Sequence, residues 1–518
     1  MAASPDSIAR ALGRIPRERL AGIRCGLERE ALRVRPDGTL ALTPHPSALG
    51  SALTHPNVTT DFSESQLELI TGVHASPEAA VAELTRIHQA VDAALGEELM
   101  WASSMPCCLP VDETIPIARY GTSNIGRAKS VYRMGLGHRY GRRMQTICGV
   151  HYNWSMPGLD NDQHFALIRN FRRHAFVLLL LTGASPAVCS TFVGDREHPL
   201  ERLAPGTLGR LQATSLRMGR LGYQSDAQAS LCVSYNSMEG YAASLHEALS
   251  RPHPAYEALG VRNPGGEYNQ LASTLLQIEN EFYGTIRPKR VVRRGERPLH
   301  ALRDRGVEYI EVRCLDLDPM SPVGVAPATL RLVDLFLLHC LLTDSPPDSP
   351  QEIEALARNQ ERVAARGREP GLVLESRDGE VLLADWAREL LSACEPIATA
   401  LDAARSGSRT DEPYAKALAE ARARLAEPVL LPSQQVLDSM RRDHQGEHTA
   451  YVLARSEAAR RHLRSLPRPG ADVEFFSRLA LESMQQQRAL EAADTLSFEA
   501  FRQAYVSPDS LTPQRVAA

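Results

Sequence analysis

Glu28 and Glu30 stand two residues apart in Gly26-Leu-Glu28-Arg-Glu30-Ala-Leu-Arg33-Val34, a run whose composition suits a β-strand. Successive side chains on a strand point to opposite faces, so the two carboxylates share a side. Like charges held that way repel. The fold must either leave that face open to water or bring a neutralising group to it.

The same pattern recurs. In Thr59-Thr-Asp61-Phe62-Ser-Glu64-Ser-Gln66-Leu67-Glu68-Leu69-Ile70, apolar Leu67 and Leu69 alternate with Gln66 and Glu68, which places Glu68 away from the leucines. In Val150-His151-Tyr152-Asn153-Trp154-Ser155, His151, Asn153 and Ser155 share one side. In Glu308-Tyr309-Ile310-Glu311-Val312-Arg313, Tyr309, Glu311 and Arg313 do the same. Strands are expected at 23–34, 58–70, 146–156, 230–236 and 307–317, interrupted by helical stretches without a β-α-β rhythm. That organisation is α+β rather than doubly wound.

Taken singly, each polar strand face reads as the solvated side of an antiparallel sheet. The set is more specific. Three faces carry Glu or Asp, the other carries a histidine, and an arginine stands beside Glu311; hard divalent cations take oxygen ligands and tolerate an imidazole. A reaction joining ATP to a carboxylate needs such a site to neutralise the transferring phosphoryl group. Spacing alone leaves a metal-dependent hydrolase equally open.

The basic run at 286–297 contains Arg287, Lys289, Arg290, Arg293, Arg294 and Arg297 and suits nucleotide phosphate better than RNA, because the chain as a whole has a net charge of −4. Gly121-Thr-Ser-Asn-Ile-Gly126-Arg127-Ala128 approaches a P-loop but lacks its lysine and its metal-binding hydroxyl. No Gly-x-Gly-x-x-Gly follows a strand in a β-α-β setting. Arg217 alone reads as a surface arginine, although its guanidinium, with Tyr223 nearby, suits a carboxylate. His444, His448 and His462, in an arginine-rich helical stretch, read as surface residues.

The 518 residues, 43% hydrophobic and 23% charged, can bury a sizeable core. The longest apolar run, 176–181, is far too short to span a bilayer, and neither membrane nor nucleic acid is expected as a partner. Asp6 and Glu18 spoil the acid-poor pattern of a transit peptide, so an N-terminal amphipathic helix and a cytoplasmic location are expected. The nine cysteines are scattered, with Cys107-Cys108 the one close pair, and read as reduced structural thiols. After Pro327 the chain turns helical, and Asp344-Ser-Pro-Pro-Asp-Ser-Pro350 reads as a linker. The expected division is a catalytic core at 1–345 and a helical region at 346–518 packing on it.

Eight segments in order, from Gly-Leu-Glu28-Arg-Glu30 through Leu-Thr-His55, Thr-Thr-Asp61-Phe62, Tyr120-Gly-Thr-Ser-Asn-Ile-Gly-Arg127, Gly-Val-His151-Tyr-Asn, Gln-Ile-Glu-Asn-Glu281 and Ile-Arg-Pro-Lys289-Arg290 to Glu308-Tyr-Ile-Glu311-Val-Arg313, closely resemble bacterial glutamate-cysteine ligase of the gamma-proteobacterial type. The resemblance covers about residues 20–325. It implies a glutamine synthetase-like curved antiparallel sheet, a funnel covered by helices, with a helical C-terminal region.

It also implies ATP-dependent ligation of the L-glutamate γ-carboxylate to the L-cysteine amine through a γ-glutamyl phosphate, the first step of glutathione synthesis. Mg²⁺, with Mn²⁺ as an alternative, would sit on Glu28, Glu30, Asp61, Glu68, His151 and Glu311. Glu311 and Arg313 would be catalytic, with Arg313 and Lys289 on the phosphates of ATP. Phe62, Tyr132, Leu136, Gln145, Arg217, Tyr223 and Tyr283 would bind the amino acids, and a monomer is expected. The rivals are a ligase with another amine acceptor, a multimetal phosphohydrolase and a helical adaptor.

Overall fold

A computed structural model describes residues 4–222, 226–229, 231–293, 296–405 and 411–507. Its strands, in chain order, are β1 (Arg24–Val34), β2 (Val58–Thr60), β3 (Gln66–Ile70), β4 (Leu99–Met100), β5 (Val150–Ser155), β6 (Ala187–Cys189), β7 (Glu201–Ala204), β8 (Thr207–Gly209), β9 (Ile286–Lys289), β10 (Tyr309–Leu315), β11 (Val373–Ser376) and β12 (Gly379–Leu382). A seven-stranded sheet runs β2-β3-β1-β5-β10-β9, with β4 also on β1. Every pairing in it is antiparallel. The α+β expectation holds, with helices over an antiparallel sheet.

Period-two alternation divides the sheet. Leu27, Leu67, Leu69, Tyr152, Trp154, Ile310 and Val312 lie on one face and are buried. The helix Pro77–Ala94 packs against β1 and β3, and Phe176–Thr182 against β10. Burying several such side chains contributes roughly 1.5–3 kcal/mol each, which fixes the register because a one-residue slip would expose all of them. A polar link crosses this apolar layer. Tyr152 Oη donates to Asp334 Oδ1 at 2.7 Å and Tyr414 Oη to Oδ2 at 2.9 Å, joining the sheet to the helices Pro327–Leu342 and Pro413–Ala426.

The helix Gly470–Ala492, late in the chain, reaches back to the loops that lead into the polar face. Ser51 N donates to Ser483 Oγ at 2.9 Å and Thr122 N to Glu491 Oε1 at 2.8 Å. Gly50 and Gly121 have φ of +74° and +77°, and a Cβ on either would collide with Ser483 or Gln487 of this helix. Only glycine meets both the backbone conformation and the close approach.

Two expectations need correction. The expected strand at 58–70 is two strands, because Ser63–Ser65 turn the chain: Asp61 N bonds Gln66 O and Gln66 N bonds Ser63 O. The expected strand at 230–236 is not one: Ser230 lies outside the described residues and Leu231–Asn236 form none. Arg169 Nη1 takes the Tyr235 carbonyl at 2.8 Å and Ser234 Oγ accepts Asn236 N, leaving no ladder partner.

Candidate functional site

The opposite face of the sheet gathers the ionisable residues because antiparallel partners point the same way. Glu30 stands opposite Glu68, Glu28 opposite His151, and Asn153 opposite Glu311. Glu311 in turn faces Arg287, and Tyr309 faces Lys289. The β10–β5 register shifts between Val312 and Leu315. A shift of that kind re-aims a side chain, and Arg313 there brings Nη1 to 3.4 Å from His151 Nδ1.

Distances within the cluster are short. His151 Nδ1 is 3.2 Å from Glu28 Oε2 and 3.9 Å from Glu311 Oε1, while Nε2 is 3.4 Å from Glu30 Oε1. Glu28, His151 and Glu311 each present a ligand atom within 4.8 Å of the others. Asn153 Nδ2 donates to Glu28 Oε1 at 2.9 Å, and Gly149 N to Glu30 Oε2 at 2.7 Å. Lys289 Nζ lies 3.2 Å from Glu311 Oε1 and Arg313 Nη1 3.1 Å from Oε2.

This is not a solvated sheet face. Glu30, His151 and Glu311 are 2%, 2% and 1% exposed. Burial pushes the Glu68 carboxyl well above its usual range, and the neighbouring Glu28, Asp61 and Glu30 push it further. Burial also raises Glu30, with His151 opposing and Asp61 adding. Glu311 is buried too, yet Lys289, Arg313 and His151 hold it well below the ordinary value. Burial and Glu311 act to raise Glu28, but its bond to His151 and the charge of Lys289 leave it lowered. One end of the face is rich in cationic side chains and the other in carboxylates.

The helix Asn124–Tyr140 walls the carboxylate-rich end. Arg133 Nε donates to the Asp61 carbonyl, and Tyr120 Oη donates to it as well, at 3.0 Å. Lys129, with its ammonium 4.8 Å from the Tyr120 ring centroid, is pulled down to about 8 by burial and by Arg133, against Glu68 and Asp61. Lys129 and Arg133 were not among the residues expected from sequence, whereas Asn153 and Arg287 were, on the polar strand face and in the basic run. For Lys129 and Arg133 a signal existed: 129, 132, 133 and 136 fall on one helical face with Tyr132 and Leu136.

Gln145 Nε2 donates to Tyr283 Oη at 2.8 Å, and the Tyr283 ring meets Tyr140 edge-on at 5.6 Å. Leu136 is buried on the helix that carries Tyr140, Phe62 is buried beside it, and Tyr132 of the same helix is partly buried. Tyr223 lies outside the described residues. Arg217 is 0% exposed, which corrects its reading as a surface arginine. Its Nη2 donates to the Arg313 carbonyl at 2.7 Å and its Nη1 lies 3.9 Å from Asp316 Oδ1.

The basic run divides. Arg287 and Lys289 belong to the polar face, whereas Arg297 pairs with Glu279 at 2.6 Å and Arg290 Nη1 donates to the Gly306 carbonyl at 2.8 Å. Arg294 lies outside the described residues. Among the three C-terminal histidines, His462 is exposed and His444 half-buried against Tyr451, but His448 is only 2% exposed, beneath Trp101. It opens the helix His448–Ser465, and its N bonds Thr207 Oγ1 at 2.9 Å, which carries the ring inward.

Comparison with known proteins agrees along nearly the whole length. The family profile of glutamate-cysteine ligase matches residues 12–363. A glutamate-cysteine ligase of Alcanivorax borkumensis is 44% identical over 504 residues, 93% of this chain and 95% of that protein. One from Pseudomonas aeruginosa is 46% identical over 499 residues, 93% of each. The crystal structure of a glutamate-cysteine ligase from Francisella tularensis in complex with AMP superposes with a TM-score of 0.88 at 35% identity, covering 94% of this chain and 97% of that one.

Proposed function

The chain belongs to the glutamate-cysteine ligase family, of the gamma-proteobacterial type, and on that premise we propose that the polar sheet face is where its substrates react. The enzyme joins L-glutamate to L-cysteine with ATP, giving γ-glutamylcysteine, the first step of glutathione synthesis. The convergence of Glu28, His151 and Glu311, flanked by Lys289 and Arg313, is the observation that carries the site assignment.

Glu28, Glu30, Asp61, Glu68, His151 and Glu311 fit Mg²⁺, or Mn²⁺ in its place. They are hard oxygen donors with one imidazole, and the burial and carboxylate repulsion that together raise Glu68 are what a divalent cation offsets. Bound there, such cations would neutralise the polyphosphate of ATP. Lys289 and Arg313, held by Glu311, place positive charge where the γ-phosphoryl group passes to the glutamate γ-carboxylate. The resulting γ-glutamyl phosphate has an activated carbonyl, which the cysteine amine attacks as phosphate leaves. Positioning and charge supply the catalysis, and no protein nucleophile is required.

Phe62, Tyr132, Leu136, Gln145, Tyr283 and, outside the described residues, Tyr223 shape the amino-acid end, with Arg217 holding a substrate carboxylate. The AMP complex of the Francisella relative supports a nucleotide as ligand, and the charge of Lys289 and Arg313 is the reason to assign it to the cationic end. We read residues 1–345 as the catalytic core and 346–518 as a helical region that braces it, as Ser483 and Glu491 brace the loops at Ser51 and Thr122. A working monomer is part of the same reading. Nine free thiols and the absence, among the described residues, of a helix long and apolar enough to cross a membrane support the cytoplasm.

ADP release measured with glutamate alone, with cysteine alone, with both, and with 2-aminobutyrate replacing cysteine tests this reading. Release should require glutamate together with the amine, and cysteine should be preferred. ADP formed without any amino acid would overturn it in favour of a phosphohydrolase.

A further inference from the structure

All nine cysteines are free, and two of them touch. Cys108 Sγ lies 3.6 Å from Cys189 Sγ, on chain segments 81 residues apart. Both backbones are held: Cys108 N donates to Gly38 O and its carbonyl accepts Leu40 N, while Cys189 belongs to β6, paired with Thr207 of β8. Leu109 N donates to Thr191 Oγ1 at 2.9 Å and ties the two segments directly. A disulfide of about 2.05 Å asks the sulfurs to close roughly 1.5 Å, within reach of small side-chain rotations.

The surroundings suit thiol chemistry. Cys189 Sγ lies 3.2 Å from Thr191 Oγ1, and Cys108 Sγ lies 3.6 Å from Thr449 Oγ1. Hydrogen bonding from Cys108, and then from Thr191, draws the Cys189 thiol down to about 5 although burial acts the other way. The same bond raises Cys108, which is the half-buried member of the pair. One sulfur is thus nucleophilic and the other stands at contact distance from it. Neither takes part in the ligase reaction.

We propose that Cys108 and Cys189 are an oxidation site, at which a hydroperoxide converts the dithiol to a reversible disulfide. Oxygen transfer to the Cys189 thiolate breaks the O–O bond and leaves a sulfenic acid, with hydroxide protonated to water. The Cys108 sulfur displaces the sulfenic oxygen, which leaves as a second water with the Cys108 thiol proton, and the S–S bond forms. Two thiols and one hydrogen peroxide give one disulfide and two waters, and excess dithiol reverses it. The closed loop contains the helix Asn124–Tyr140, Gln145 and His151, so the crosslink pins both ends of the segment that walls the amino-acid end of the site.

The test treats the full-length reduced protein with hydrogen peroxide, titrates thiols after denaturation, and maps crosslinked peptides by mass. Titratable thiols should fall from nine to seven, with one crosslinked peptide pair containing Cys108 and Cys189. The melting midpoint should rise by about 4 °C and return on adding dithiothreitol. Cys108→Ser and Cys189→Ser should each abolish the crosslink, and Cys107→Ser should retain it. A wild-type thiol count that stays at nine, or a map showing Cys107 joined to Cys108, would overturn the assignment without reliance on any variant's folding.

Discussion

Arg217 lies against a glycine that leaves it no spare room: a Cβ on Gly149 would collide with the Arg217 guanidinium. Gly149 N also donates to Glu30 at 2.7 Å, so this one backbone position sets both a carboxylate proposed for metal and a guanidinium proposed for substrate. Gly149→Ala must displace Arg217 or the end of β5. A misplacement of about 1 Å costs on the order of 100-fold in rate. Steady-state kinetics of the folded variant should therefore show kcat/KM for the amino acids down by about that factor, and an unchanged value would remove Arg217 from the site.

The link between sheet and helical layer is open to a stability measurement. Asp334→Ala leaves the buried hydroxyls of Tyr152 and Tyr414 without their shared acceptor. Each buried unsatisfied group costs about 1–3 kcal/mol. Urea unfolding should show a loss of roughly 2–6 kcal/mol, whereas Asp334→Asn, which keeps one of the two acceptor oxygens, should lose less.

Burial draws His448 down to about 4 from an ordinary value of 6.5. The unfolded chain therefore binds a proton that the folded one refuses between those values, so stability is full above about pH 6.5 and falls as pH drops toward 4. Between pH 7 and pH 5 the single site amounts to about 2 kcal/mol. Urea midpoints of the wild type and His448→Gln, compared at both pH values, should converge by that amount at the lower pH. A pH-independent difference would show that His448 does not titrate in that window.

Much of the polar sheet face was legible because a strand's period of two is a strong local signal. Glu28 with Glu30, His151 with Asn153, and Glu311 with Arg313 could each be assigned a common side from spacing alone, and the sheet pairs those sides as register requires. What spacing could not supply was partner identity. Nothing near Arg217 in sequence announces Asp316 or the Arg313 carbonyl, about 100 residues on, so its burial was missed. His448 was misread for the same reason, since Trp101 and Thr207 lie far from its basic helix. The run at 230–236 has strand composition, but a side chain from Arg169 occupies a carbonyl that a ladder would need.

Mn²⁺ binding, followed by electron paramagnetic resonance on the wild type and on Glu311→Gln, tests most directly whether the polar sheet face holds divalent cations. Glu311 is 1% exposed and reaches His151, Lys289 and Arg313 at once, so the change removes one ligand charge at the centre of the cluster. The wild type should bind Mn²⁺, and the variant, with an unchanged circular dichroism spectrum, should bind it at least about tenfold more weakly and release no ADP with both amino acids. Equal Mn²⁺ affinity in a folded Glu311→Gln protein would contradict the placement of the metals on this face.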